Sequence, residues 1–591
     1  MKSIKTLFLI LLILLCPGIV FSQLHQDQKV SVFQAIDMMV EQGELSFESG
    51  LIQKLYGAFD TERLDPQFQL NHGSGLICLT PIIHEYINHK SKLSSATILE
   101  FENILNPFST DASLLHQSDS GYFNIYYWVE GIDAVSTIDT NNSGVPDYIE
   151  SISFAADSTY RHLVNTLGYS DFLKDQSYEI RVQSLTNYFG ATIPTGPDNT
   201  YLVIDNNLER LPPNDHPDDL KGNIYSLIAH ELKHASQFVA NQFREGIDWL
   251  EMDAVHAEGV VFTNVNWYIN YLINPEFPGE PLPDTIFGSP QNGPPNAYYH
   301  VTWMNYFSEQ FGDHFWPSVW KTLTNSDLNF EEAIKTTLES RPAKLKSQNL
   351  LNHMWHMASG NFSHPEFGFK AASRYPTPNL RHTFTQFPEQ LDTQINFLNP
   401  LAAHYYSVEP TDEPYNQAVL RFENTGVISG IGIGVMGIFK NGDIRIRTQY
   451  FSSPADASQV QTGWVLNELE SLRFVVVNGS ESESVAYGLT VESAPYELYT
   501  DNPDFNFELK QNYPNPFNAT TNIEFDLFEE SHIQVQIFNI SGKLIQTVVN
   551  RELSPDFYSF NIDFSTLSSG QYFYRLQTNS FQETRKMTVI K

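Results

Sequence analysis

The sequence predicts a multidomain α+β protein in which a mainly helical domain is followed by two β-sandwich domains. Its 591 residues exceed what one hydrophobic core usually organises, since single domains run to roughly 100–200 residues. Apolar residues recur at helical spacing over much of the chain before residue 380, whereas apolar and polar residues alternate after residue 385. Hydrophobic residues make up 41% and aromatic residues 13%, so several cores can be filled and a mainly disordered chain is excluded.

The charge balance and the cysteine count exclude further classes of protein. Lys and Arg total 34 against 69 Asp and Glu, which gives a formal charge of −35 at pH 7. A negative field of this size repels nucleic-acid phosphates, so we expect no nucleic-acid partner. The two cysteines, Cys16 and Cys78, are too few for a disulfide scaffold or a Cys-rich metal site.

The first 22 residues have the pattern of a signal peptide. Lys2 and Lys5 precede an apolar run from Leu7 to Leu15, and small residues lead up to Ser22. This order predicts cleavage after Ser22. The apolar run is shorter than the ~20 residues that a membrane-spanning helix needs, so we expect an exported mature chain without a transmembrane span.

Composition and periodicity divide the rest of the chain into consecutive segments. Helical spacing from Val32 to Met39 opens the N-terminal region, and its position before the candidate site makes it a candidate pro-segment. A strand is predicted at Tyr122–Trp128. The predicted segments are a helical N-terminal region at 23–115, a domain carrying the candidate site at 116–380, a β-sandwich at 385–495, a linker at 496–512 and a terminal β-sandwich at 513–591.

The strongest chemical signal is the pentapeptide His230-Glu231-Leu232-Lys233-His234, which lies within a run of helical spacing. Residues four apart share one helical face, so both imidazoles can bind one ion. Zinc accepts neutral imidazole nitrogen and leaves a position for water. Glu231 can take the proton of that water. The sequence therefore predicts zinc ligands at His230 and His234 with Glu231 as the general base.

A catalytic zinc needs a third protein ligand, which a carboxylate on a neighbouring helix can supply. Glu251 follows at a suitable distance in the next predicted helix, and Glu258, two turns later on nearly the same face, is the competing candidate. The transition state also needs a hydrogen-bond donor for its oxyanion. Tyr299 is a candidate for that donor, although a packing role in the core suits this aromatic residue better.

A second metal site is predicted in the loop at 139–150. Gly144 lies where a calcium loop needs its sharp turn, and oxygen-bearing residues have the matching spacing. The alternative is an Asn/Ser/Gly-rich turn that caps the helix starting near Pro146. The candidate calcium ligands are Asp139, Asn141, Ser143, Val145 through its carbonyl, Asp147 and Glu150.

Two motifs, HELKHASQF at 230–238 and WLEMDAVHAE at 249–258, resemble those of exported bacterial gluzincin-type zinc metallopeptidases. This resemblance implies a zincin-like catalytic domain that hydrolyses peptide bonds. It also implies zinc ligation by His230, His234 and Glu251, catalysis by Glu231, a supporting or alternative ligand role for Glu258, and structural calcium in the 139–150 loop. Lys233 departs from the family pattern, which usually has an uncharged residue there.

The terminal segment has its own resemblance. Alternating apolar residues, the YPNPFN run at 513–518 and the SGQYFYRL strand at 569–576 resemble a type A C-terminal sorting domain of the bacterial type IX secretion system. The resemblance implies transport across the outer membrane of a Gram-negative cell. The implied partner is the type IX secretion machinery, and the implied location is secreted or at the cell surface.

Two functional hypotheses follow. The first is an exported zinc metallopeptidase that acts on protein or peptide substrates through Glu231. The second is a surface-attached adhesin or binding protein whose β-sandwiches bind a ligand and whose metal site is vestigial. Zinc content discriminates between them, since a vestigial site holds no stoichiometric metal.

Overall fold

The structure is a computed structural model. The predicted signal peptide at 1–22 and most of the predicted linker at 496–512 lie outside the residues that it describes. The described residues are 31–69, 78–105, 113–185, 188–273, 296–339, 345–364, 367–391, 397–412, 416–424, 431–442, 444–450, 459–480, 483–495, 507–527, 531–540, 542–553, 556–578 and 582–590.

The chain forms two compact units. The first unit contains residues up to 280 together with 292–304 and 320–330, and the second contains the remainder. Among the described residues, the first unit begins with four helices, and Ser31 and Gln34 close a reciprocal capping box at the start of the first of them. These helices are α1 (Val32–Glu41), α2 (Phe47–Phe59), α3 (Thr80–His89) and α4 (Ser95–Leu105).

A five-stranded mixed sheet forms the centre of the first unit. Its strands are β1 (Leu114–Gln117), β2 (Phe123–Tyr127), β3 (Tyr178–Gln183), β4 (Gly190–Pro194) and β5 (Thr200–Asp205), in the spatial order β1-β2-β3-β5-β4. Strands β2, β3 and β5 are parallel, and β4 pairs antiparallel with β5. The antiparallel strand β4 is therefore an edge strand of this sheet.

Helix α5 (Asp147–Tyr160) lies between β2 and β3 in the sequence, and the remaining described α-helices follow β5. They are α6 (Asp219–Asn241), α7 (Ile247–Val261), α8 (Ile269–Ile273), α9 (Asn296–Tyr299), α10 (Val301–Phe311), α11 (Phe315–Thr324), α12 (Phe330–Glu339) and α13 (Leu345–Met357). In helix α6, the Asp218 side chain accepts a hydrogen bond from Lys221 N, and the helix ends at Gln242 with φ 59°. Ser226 bonds Glu258 near one end of the α6–α7 pair, and Gln237 bonds the Leu250 carbonyl near the other. The two helices are therefore antiparallel.

The predicted fold class is wrong. A mainly helical zincin-like domain was expected, but strands and helices are mixed through the first unit, with the β1–β5 sheet at its centre. Strands β3, β4 and β5 have only five or six residues each, and most of β4 and β5 is buried. Short buried runs such as β4 and β5 have no apolar period that distinguishes a strand from a helix.

The described residues of the second unit form four sheets. Two run in the orders β13-β10-β15-β7 and β12-β11-β14-β9-β6, with β8 pairing β15, and two run in the orders β16-β17-β20 and β19-β18-β21-β22. The strands are β6 (Leu380–Phe384), β7 (Glu389–Leu391), β8 (Phe397–Leu398), β9 (Ala403–Val408), β10 (Asn416–Asn424), β11 (Ile431–Phe439), β12 (Ile444–Tyr450), β13 (Gln459–Gln461), β14 (Leu469–Asn478), β15 (Val485–Pro495), β16 (Phe507–Leu509), β17 (Thr520–Leu527), β18 (Ser531–Asn539), β19 (Leu544–Leu553), β20 (Asp556–Asp563), β21 (Gly570–Gln577) and β22 (Gln582–Val589).

A glycine in β11 allows a helix to pack closely on its sheet. A Cβ added at Gly434 would lie 2.6 Å from Met354 Cγ of α13, so a larger residue there would force the Met354 side chain to move. Within the described part of the chain, no helix combines the length and apolar character that crossing a membrane requires.

Replacing Ile180 by Ala should destabilise the first unit by about 2–5 kcal/mol, because the middle strand of its sheet loses a fully buried side chain. Ile132→Ala is the control, since Ile132 is 83% exposed, and its substitution should change the free energy of unfolding by less than about 0.5 kcal/mol. Differential scanning calorimetry measures both effects. Equal melting temperatures for the two variants would contradict the central position of β3.

Candidate metal centre

The α6–α7 helix pair brings four of the predicted residues together. His230, Glu231 and His234 lie on α6, Glu251 faces them from α7, and all four are 0% exposed. His230 Nε2 lies 3.3 Å from Glu251 Oε2, and His234 Nε2 lies 3.4 Å from Glu251 Oε1. The two imidazole Nε2 atoms are 3.2 Å apart. Three predicted zinc ligands thus point at one position.

The spacing of these atoms fits a zinc ion. Around a tetrahedral zinc with bonds of about 2.0–2.1 Å, neighbouring ligand atoms lie about 3.3 Å apart. The observed separations of 3.2, 3.3 and 3.4 Å bracket that value. Both carboxylate oxygens of Glu251 are buried and have no hydrogen-bond partner among the described residues. Such acceptors are rare in folded proteins, and a bound cation would satisfy them.

A thiol that the sequence did not assign to the site completes the cluster. Cys78 is fully buried, and its sulfur lies within 4.8 Å of the ligand atoms of His230, His234 and Glu251, which also lie within this distance of one another. No local pattern could have identified Cys78, because it is far from the other three residues in the sequence and only the tertiary fold brings it to them.

The outer nitrogens of the two imidazoles have carboxylate and amide partners. His230 Nδ1 donates to Glu258 Oε1 at 2.9 Å, and Ser226 Oγ donates to the other oxygen of Glu258 at 2.5 Å. His234 Nδ1 donates to Gln237 Oε1 at 2.8 Å. These bonds leave each Nε2 directed at the cluster. Glu251 therefore lies on the ligand side of His230, whereas Glu258 lies behind it.

Lys233 points away from the cluster into a buried polar network. Its Nζ lies 2.6 Å from Asp253 Oδ2 and 3.6 Å from the centre of the Tyr169 ring. Gln237 Nε2 and Trp320 Nε1 donate to the same Asp253 oxygen at 2.9 and 2.8 Å. Burial lowers the pKa of Lys233, and Asp253 opposes that shift. The unusual lysine of the motif thus pairs with an acid that also holds Gln237, the partner of His234.

Glu231 lies between the cluster and the edge strand β4. Thr192 Oγ1 lies 2.7 Å from the Glu231 carbonyl oxygen and 3.0 Å from Glu231 Oε2, so these two acceptors share its one proton. Burial raises the pKa of Glu231 above its usual value. A Cβ added at Gly190 would lie 2.9 Å from Glu231 Oε1. A side chain at position 190 would collide with the Glu231 carboxylate, and the glycine avoids this contact.

The cluster without metal is a buried ion pair. Burial disfavours protonation of His230, but Glu251 and Glu258 outweigh this effect and raise its pKa to about 10. Burial alone would raise the pKa of Glu251, but His234 and His230 lower it to about 2. Any metal that binds Nε2 has to displace a proton there, so metal binding weakens as the pH falls.

The candidate oxyanion donor, Tyr299, has its side chain outside the described residues. The preceding residue, Tyr298, is buried with its ring centre 6.1 Å from that of His230. Burial and then the Glu251 carboxylate raise the pKa of Tyr298 well above its usual value. Of these two tyrosines, Tyr298 is therefore the one whose side chain the structure describes, and it lies beside the cluster.

The 139–150 loop folds back on itself with Asn142 and Gly144 at φ 57° and 87°. Asp139 accepts hydrogen bonds from Ser143 N at 3.0 Å and Gly144 N at 2.9 Å. Further bonds join Asn141 Nδ2 to both oxygens of Glu150, Thr140 N to Asp147 Oδ1, and Ser143 Oγ to the Val145 carbonyl. The predicted calcium ligands therefore lie close together. Several of their oxygens accept hydrogen bonds from amide groups of the same loop.

The C-terminal segment matches a known family. Residues 511–591 match the family model described as the secretion system C-terminal sorting domain. The protein therefore carries a type IX secretion sorting domain, which indicates recognition by the secretion machinery and export across the outer membrane to a secreted or cell-surface location. The predicted terminal resemblance and location are confirmed. No curated protein matches the sequence.

Solved structures match only weakly. A β-1,2-glucanase from Parabacteroides distasonis is 11% identical, with a TM-score of 0.13, over 30% of this chain and 28% of that one. PorZ, a surface component of the type IX secretion system of Porphyromonas gingivalis, is 11% identical, with a TM-score of 0.13, over 26% and 22%. β-Glucuronidase 3 of Bacteroides uniformis is 10% identical, with a TM-score of 0.11, over 32% and 27%. This chain therefore spans less than a third of each of these proteins, and the similarities establish neither fold nor activity.

Replacing Glu258 by Gln should weaken zinc binding about 10- to 100-fold, because the His230 imidazole loses the carboxylate that orients it. Competition with a chromogenic chelator measures the dissociation constant. Glu209→Gln, an exposed change of the same chemistry, should leave the constant unchanged. Equal affinities for the two variants would show that Glu258 does not support the ligand.

Proposed function

We propose that the protein is an exported zinc-dependent metallopeptidase. The observation that supports this most directly is the convergence of His230 Nε2, His234 Nε2 and both Glu251 oxygens at the spacing of a tetrahedral zinc site. The HELKH and WLEMD motifs on which the sequence resemblance rests supply these three residues. The sorting domain takes the protein outside the cell, where polypeptide substrates are available.

The proposed chemistry divides between the ion and the protein. A zinc ion held by His230, His234 and Glu251 would supply a water whose pKa is about 7 and would polarise the scissile carbonyl. Glu231 accepts the proton of the attacking water and delivers it to the departing amine nitrogen. Thr192 holds one oxygen of Glu231, which leaves the other oxygen available for this transfer. Tyr298, whose ring centre lies 6.1 Å from that of His230, is a candidate to stabilise the oxyanion.

The edge strand β4 favours a peptide as the substrate. An exposed sheet edge binds an extended peptide by adding it as a further strand. Strand β4 passes Glu231 at Gly190, where Cys78 is paired with it, so a peptide that takes the place of Cys78 would have its backbone beside the general base. Main-chain hydrogen bonds of this kind hold any sequence of side chains, which suits an enzyme that cleaves proteins.

Replacing Glu231 by Gln should leave zinc bound and reduce casein cleavage by about 10²- to 10⁴-fold, since only proton transfer is lost. Zinc content by mass spectrometry and cleavage of a labelled casein measure the two properties on the exported protein. Glu130→Gln on an exposed loop is the control and should change neither. Unchanged cleavage in the Glu231 variant would contradict the mechanism, and absence of stoichiometric zinc in the wild type would favour the binding-protein hypothesis.

We further propose that the 139–150 loop binds calcium as a structural ion. Calcium at ten times its dissociation constant should stabilise the first unit by about 1.4 kcal/mol, and Asp139→Ala should abolish this increment. Thermal melting with calcium and with a calcium chelator measures the difference. Asp119→Ala, an exposed carboxylate outside the loop, should keep the increment. A melting temperature that does not respond to calcium would refute this proposal and leave the zinc proposal intact.

A further inference from the structure

Two described residues, Cys78 and Leu79, form the segment that leads into α3, and the cysteine of this segment belongs to the metal cluster. Cys78 is 0% exposed, and its sulfur is one of four ligand atoms that lie within 4.8 Å of one another. The amide of Thr80 donates to this sulfur at 3.3 Å, but burial and then the Glu231 and Glu251 carboxylates raise the pKa of the thiol well above its usual value, so its deprotonation depends on a bound cation. Zinc binds thiolate as readily as imidazole and carboxylate, with tetrahedral geometry.

The backbone of this segment is held on the edge strand. Cys78 forms a parallel bridge with Gly190 of β4, and Leu79 N donates to the Gly190 carbonyl at 3.1 Å. The segment therefore occupies the edge beside Glu231 where the proposed function places an extended peptide. It is paired with the strand in the way that a bound peptide would be.

The N-terminal helices fix the segment in this position. Residues of α1 to α4 and Leu79 share one hydrophobic core with side chains of β4 and β5, among them Ala191, Ile193 and Val203. Helix α3 is also bound to the connection between α6 and α7, because His84 Nε2 donates to the Glu245 carbonyl at 2.8 Å and Asn88 Nδ2 donates to the Phe243 carbonyl at 3.4 Å. The segment is thus tied both to the sheet and to the metal-binding helices.

The cluster is closed to substrate in this form. His230, Glu231, His234 and Glu251 are each 0% exposed. A zinc site with four protein ligands is of the structural kind, whereas a catalytic site keeps one position for water. A fourth protein ligand in this cluster would therefore lower its activity, because water could reach the ion only while that ligand is displaced.

We propose that Cys78 is the fourth zinc ligand of the folded full-length chain and that it occupies the position of the hydrolytic water. This inference rests on the proposed function, and it makes the N-terminal region an internal inhibitor. When zinc binds, the S–H bond of Cys78 breaks, its proton passes to solvent and a sulfur–zinc bond forms. Displacement of the segment would break the sulfur–zinc bond, return a proton from solvent to the sulfur and leave the fourth position of the site open to water.

Cobalt substitution tests the ligand directly. The full-length chain loaded with Co²⁺ in place of zinc should show a thiolate-to-cobalt charge-transfer band in the near ultraviolet, and Cys78→Ala and Cys78→Ser should both lose it while keeping one bound cobalt. Lys92→Ala, an exposed change near the same helix, keeps the thiol and should keep the band. If the cysteine variants fail to fold, the wild-type spectrum alone decides the question.

Activity gives a second measurement. Full-length Cys78→Ser should cleave casein faster than the full-length wild type, by roughly 5- to 150-fold if opening the site releases a coupling energy of usual size. Bound cobalt without the band would overturn the role of Cys78 but not the zinc site. A wild-type chain that binds neither cobalt nor zinc would overturn the proposed function. Equal cleavage by the Cys78→Ser variant and the wild type would show that the thiol does not inhibit.

Discussion

The pairing of Glu251 with the two imidazoles in a fully buried space is the interaction on which the first unit depends. Glu251, Glu258 and Glu231 are all carboxylates removed from water, and burial of uncompensated negative charge is costly. The cations available to them are the two histidines when protonated, or a metal ion. Folding of this region and binding of a cation are therefore linked, because the antiparallel helices bring the acids together only as the region folds.

The polar groups around the cluster link the orientation of its ligands to the packing of the core. Asp253 accepts hydrogen bonds from Gln237 and Trp320 and is ion-paired with Lys233, so the orientation of His234 depends on a network that reaches α11. Removing one member would leave a buried charge or dipole without its partner. Lys233, which departs from the usual motif, is therefore integrated in the packing, and its charge is directed away from the cluster.

The sequence predicted the local parts of this arrangement and missed those that depend on tertiary contacts. His230, Glu231, His234 and Glu251 lie on two successive helices, so helical spacing was enough to bring them together. The fold class was wrong because β4 and β5 are short and buried almost throughout, so they show no strand period, and because β3, although its residues alternate between buried and partly exposed, is only six residues long. Cys78 and Thr192 approach the cluster only after the sheet has formed, and nothing next to them in the chain indicates this. The terminal sorting domain was predicted correctly because it carries distinctive short motifs.

The turn between α6 and α7 has a consequence for the order of folding. Gln242 and Phe243 adopt left-handed φ values of 59° and 57°, which end α6 and reverse the chain within a few residues. Three candidate ligands consequently belong to one helical hairpin, whose contacts are close in sequence and form rapidly. Contacts between the N-terminal helices and the sheet close much longer loops and form more slowly. The hairpin is therefore expected to take up its cation first, and docking of the N-terminal region then buries a site that is already assembled.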